Sequence, residues 1–114
     1  MRVSTPEATA YDLVRFAPAA GHLSNVATVL GELVEKLDPV AVAKMADSYS
    51  LPDAQRLGYL LELLGERDLT GPLAAWLDAR RHRPVLLAPG EANNEASPDP
   101  RWRIIPNVTV EADL

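Results

Sequence analysis

Arginine is the residue type in this chain whose spacing most clearly invites chemistry. The run Arg80-Arg81-His82-Arg83 is its one dense basic cluster, and Arg101 and Arg103 lie on the polar face of the last predicted strand, close to that run if the two segments pair. A guanidinium is always charged, and its planar fork of donors matches phosphate and carboxylate oxygens. Arg80, Arg81, Arg83, Arg101 and Arg103 together would make a positive patch where an acidic partner or a phosphate-bearing target could dock. The ordinary reading competes with this one, since cations answer the dipole at a helix C-terminus and strand arginines are commonly solvated. Arg56, beside Gln55 in the first turn of a leucine-rich segment, is a further cation, with Asp53 or a neighbouring helix as its ordinary partner.

Other chemistries lack their residues. His22 and His82 are far apart, in a predicted turn and at a predicted helix end, and neither has the spacing of a metal-ligand pair. There is no cysteine, no glycine-rich phosphate loop after a strand and no G-x-S-x-G elbow. Glu62, Glu66 and Asp68 read as a solvated helix end. A small enzyme acting on a partner would need a clustered acid, base and metal site, so the expectation is a non-enzymatic protein with no catalytic residue, metal or cofactor.

The 114 residues, 47% of them hydrophobic, fit a single domain spanning 1–114 with a core that needs no staples. A net charge of −5 and a pI near 4.9 disfavour a domain whose main partner is the phosphate backbone of duplex DNA. A protein partner or a basic surface fits better. The absence of cysteine makes the cytoplasm the default compartment. No apolar run approaches the roughly 18 residues of a membrane span, so neither an anchor nor a signal peptide is expected.

Proline-led starts organise the first two thirds. Thr5-Pro6-Glu7 offers a capping hydroxyl, a preset φ and an acid at the positive dipole end, predicting a helix over 6–16. After Pro18 and Gly21, Ser24 is read as the cap of a second helix, in which Val26, Val29, Leu30, Leu33, Val34 and Leu37 form one apolar stripe. Asp38-Pro39 opens a third to about Tyr49, with Val42, Met45, Ala46 and Tyr49 inward. Ser50-Leu51-Pro52 opens a fourth, with Leu57, Leu60, Leu61 and Leu64 inward and Gly65 as a left-handed C-cap. Thr70-Gly71-Pro72 opens a fifth that buries Leu73, Trp76 and Leu77.

Beyond Arg83 the period changes. Residues 85–88 form one strand candidate and residues 102–110 another, with Trp102, Ile104, Val108 and Val110 on the covered face and Pro106 as an interruption. Residues 2–4 are a possible third strand. The loop 90–100 contains no large apolar residue and is too long for a tight hairpin, so it is expected to be mobile. The two tryptophans are expected to anchor packing. The fold class is therefore α+β, about five short helices followed by a small two- to three-stranded sheet.

Gly58 stands inside the fourth helix, where glycine costs about 1 kcal/mol relative to alanine. Flanked by leucines, it predicts that another element passes close by. Together with residues 3–14 and 101–114, the segment 54–65 resembles the C-terminal domain of the AbiE-type antitoxins, abortive-infection regulators of bacterial type IV toxin–antitoxin pairs. The resemblance is read over essentially the whole chain. It implies a regulatory domain that opposes a nucleotidyltransferase toxin without a stable complex, and operator binding by an N-terminal winged helix-turn-helix that these residues do not include. The alternative is an effector or dimerisation domain of a transcriptional regulator unrelated to any toxin.

Overall fold

The computed structural model describes residues 5–15, 20–93 and 96–108. Among the described residues there are five α-helices, α1 (Pro6–Arg15), α2 (Ala20–Leu33), α3 (Pro39–Met45), α4 (Leu51–Leu63) and α5 (Arg67–Asp78), followed by the two-residue strands β1 (Val85–Leu86) and β2 (Ile104–Ile105). This is the expected α+β order. The strand candidate at 2–4, Phe16, Pro18 and Val110 lie outside the described residues.

Local caps explain most of the helix boundaries. The Asp38 carboxylate accepts from the Ala41 amide at 2.9 Å and precedes Pro39. Ser50 and Asp53 form a reciprocal capping box at the start of α4. Gly65, at φ +83°, closes α4, with the Gly65 amide on the Glu62 carbonyl and the Glu66 amide on the Leu61 carbonyl. Two expected starts are displaced. Helix α2 begins at Ala20, so Ser24 and His22 are inside it and Ser24 does not cap it. Helix α5 begins at Arg67, one turn before Thr70. The Thr70 hydroxyl is buried and donates to the Arg67 carbonyl within the helix, with Pro72 inside it. Helix α3 is also shorter than expected, ending at Met45 and passing into a 3-10 turn (Ala46–Ser48).

The core lies where α4 and α5 pack on each other and on α1 and α3. Leu57, Leu60, Leu61, Leu73 and Leu77 are fully buried, as are Tyr11, Leu30 and Val42. In α2 the stripe narrows to Val26, Ala27 and Leu30, with Val29 38% exposed. Tyr11 stacks on Tyr49 with ring centroids 4.7 Å apart, and its hydroxyl donates to the Val42 carbonyl. Burial, reinforced by Asp53, pushes the Tyr11 phenol above its usual range. Glu7, also buried, accepts from the Asp38 amide at 3.1 Å and so ties α1 to the start of α3.

The strands pair in parallel, Val85 opposite Ile104 and Leu86 opposite Ile105. Most of the expected 102–110 strand is not strand. Trp102 sits in a turn organised by Asp99, whose Oδ2 accepts from the Arg101 and Trp102 amides. Asn107, which alternates with the covered face of the expected strand and so would have pointed to its polar side, is buried and clamps Ala88, accepting from its amide and donating to its carbonyl. That side chain continues β1 where the backbone ladder stops. Trp76 is half-buried rather than core, with its indole N–H on Asp47.

Trp102 is fully buried because its six-membered ring lies on Gly58, where a methyl group would overlap it. Gly58→Ala improves helix propensity by about 1 kcal/mol, yet is expected to destabilise by about 1–3 kcal/mol through overpacking. In a Trp102→Ala background the same change should turn neutral or stabilising. Chemical denaturation of the four proteins checks this; a Gly58→Ala midpoint unchanged in the native background would refute the close approach.

Candidate functional site

The C-terminal end of α5, the segment leading into β1 and the turn before β2 meet at one open cleft of about 620 Å³. Arg80, Arg81, Arg83, Arg101 and Arg103 all line it, with His82. Asp78 and Pro100 complete the wall. Parallel pairing of β1 and β2 is what brings the two arginine groups together: it places 80–83 and 101–103 at the same end of the ladder, where the Val85 amide donates to the Arg103 carbonyl.

A buried glutamine fastens the two rims. The Gln55 side chain, 1% exposed at the fifth residue of α4, donates from its Nε2 to the Arg83 carbonyl at 2.9 Å and to the Trp102 carbonyl at 3.0 Å. Its neighbour Arg56 donates to the Leu86 carbonyl at 2.9 Å and so holds β1, instead of serving as a free cation or simply pairing with Asp53. Burial lowers the Arg56 pKa from its usual value, with Asp53 acting in the opposite direction. Sequence reasoning missed Gln55 because an amide just after a capped helix start looks solvated; its only signal is a position four residues from Tyr59 and three from Gly58 on the face that receives Trp102.

The five arginines are not equivalent. Arg80 stacks 4.0 Å over the Trp76 ring, donates to the Trp76 carbonyl and pairs with Asp47. Arg101 pairs with Glu62 at 2.9 Å and reaches the Thr70 hydroxyl. Glu62 is accordingly no solvated helix end: its side chain is 16% exposed and also accepts the Trp102 indole N–H. Asp68 is exposed in the first turn of α5, whereas Glu66, just before the helix, is half-buried. Arg103 adopts φ 53°, the left-handed region, and donates to the His82 carbonyl at 3.1 Å. Arg81 and Arg83 are exposed, and their side chains have no hydrogen-bond or ionic partner among the described residues. The His82 ring sits with Nδ1 3.0 Å from the Arg80 carbonyl.

What the cleft can do is bind an anion. Among the described residues no group of three or more His, Cys, Asp or Glu side chains is placed to hold a metal ion. No described helix is long and apolar enough to cross a membrane.

The AbiEi antitoxin C-terminal domain family model matches residues 1–63, ending with the last residue of α4. The match is shorter than the whole-chain resemblance read from the sequence, and the described residues that line the cleft all lie beyond it. No curated protein and no solved structure matches the chain.

Replacing Gln55 with Leu leaves the Arg83 and Trp102 carbonyls without this donor, at a cost of about 1–3 kcal/mol. The Val85 and Leu87 amides, which carry the β1–β2 ladder, should then exchange with solvent faster than the α4 amides. Hydrogen exchange by NMR measures this; uniform acceleration across the chain would show that Gln55 does not specifically hold the rims.

Proposed function

The chain belongs to the AbiEi antitoxin C-terminal domain family, which gives it an antitoxin role in an abortive-infection toxin–antitoxin system, and we propose that the toxin it counteracts is a nucleotidyltransferase. Membership over residues 1–63 is the observation that carries the proposal. In this reading the domain acts in the cytoplasm as a regulator, not a catalyst, and without a stable complex with the toxin. Operator DNA is read by a winged helix-turn-helix outside these residues.

The docking surface is the arginine cleft, and within it the exposed Arg81 and Arg83. They supply concentrated positive charge on a chain whose net charge is −5, and such local reversals of sign steer association with acidic groups. Reversing all five arginines, as the sequence alone suggests, would confound the test: a carboxylate at 101 would face Glu62. Arg80 likewise holds Trp76 and Asp47.

Co-expression with the nucleotidyltransferase of the same operon is expected to restore growth. An Arg81→Glu, Arg83→Glu variant should lose rescue while its thermal melt stays within the about 0–1 kcal/mol typical of exposed charges. Growth arrest that persists with abundant wild-type chain would overturn the toxin assignment. Rescue by the folded double variant would move the functional surface to the loop 90–100 or the outer faces of α1 to α3.

A further inference from the structure

Two of the five cleft arginines already have carboxylate partners, Arg80 with Asp47 and Arg101 with Glu62. Among the described residues that leaves Arg81, Arg83 and Arg103 without one, against the carboxylate of Asp78 in the cleft wall. The balance is two positive charges in a concavity of about 620 Å³, within the range of small-molecule sites. Guanidinium forks bind phosphate oxygens bidentately, and their charge does not vary with pH.

The rims are set before any ligand arrives. Gln55 fastens both, and the left-handed backbone at Arg103 is held by its amide on the Asp99 carbonyl at 2.7 Å and its carbonyl on the Val85 amide at 3.0 Å. A non-glycine residue persists in that region only where its surroundings over-determine it. Here they fix the backbone that carries one of the three guanidiniums with no described carboxylate partner.

The walls also limit what is recognised. Phe, Tyr and Trp are absent from the described lining residues. Arg80 covers one face of the nearby Trp76 ring, and the Trp102 ring is buried on Gly58. A base therefore finds no aromatic platform of the kind that single-stranded nucleic acid uses. A polymer leaving the cleft would meet a chain of net negative charge, and three arginines neutralise too few phosphates to offset that.

We propose that this cleft binds a di- or triphosphate group, as inorganic pyrophosphate or as the phosphate tail of a nucleotide, without reading the base. The proposal rests on the cleft and not on the antitoxin assignment. Isothermal titration calorimetry of the 114-residue chain with pyrophosphate should give saturable one-to-one binding. Nucleoside triphosphates with purine and pyrimidine bases should compete equally with it, and a nucleoside should give no heat. Arg81→Glu with Arg83→Glu should weaken binding by roughly tenfold or more, the scale of a lost charge-assisted contact. Arg81→Lys with Arg83→Lys, which keeps the charge but loses the forks, should fall between. Absence of saturable pyrophosphate binding, indifference to the glutamate variant in protein that still melts cooperatively, or strong preference for one base would each overturn the proposal. So would tight binding of a short RNA that pyrophosphate fails to displace. Growth rescue measured alongside separates the two readings: rescue without pyrophosphate binding sinks the phosphate site alone, and binding without rescue sinks the toxin assignment alone.

Discussion

The described segment after α5 depends on the seating of the Trp102 ring on the bare backbone of Gly58. Two strands of two residues each cannot sustain a sheet by their own ladder. The segment is fixed instead by one face of α4, where Gln55, Gly58 and Glu62 follow one another at helical spacing. Gln55 takes the Trp102 and Arg83 carbonyls, Gly58 makes room for the ring and Glu62 takes the indole N–H and the Arg101 guanidinium. The opposite face of the same helix carries the leucines of the core. Helix α4 thus has an apolar side that builds the bundle and a polar side that receives the chain's last third.

This division explains what could be read from the sequence. Asp38 and Ser50 act locally, through amides three residues away, so the starts of α3 and α4 were legible. Gly65 likewise needs only its own backbone to close a helix. Gly58 was legible as a close approach because its cost is local, although its partner, 44 residues on, was not named by any pattern. Where polar residues satisfy groups distant in sequence, the reading failed. Glu62 and Asn107 resemble solvated residues by type and spacing, yet one binds an indole and the other an entire peptide unit. Thr70-Gly71-Pro72 and Ser24 failed for a different reason: a capping residue type signals a possible start, but in each case the helix begins about one turn before it.

The arginine cleft was only half legible. Residue type marked all five arginines, and the expectation that their segments pair brought them to one place. Which guanidiniums are committed was not legible, because that depends on Trp76 being half-exposed beneath Arg80 and on Glu62 being sheltered beneath Arg101. Counting arginines treats the patch as five equal charges, whereas the structure leaves Arg81 and Arg83 as the side chains with no described partner.

The family match ends within the same helix that joins the two parts. Residues 1–63 build α1 to α4, and the described residues that line the cleft all come later. Gln55 belongs to the matched segment, and both carbonyls that it binds belong to the later one. A single amide nitrogen reaches both rims, so a change in their separation must lengthen one of those bonds or shift the start of α4. Asp53 at that start is part of the capping box and faces Arg15 of α1 at 3.9 Å. The cleft is therefore coupled to the family fold through buried, directional hydrogen bonds, which tolerate little displacement before they weaken.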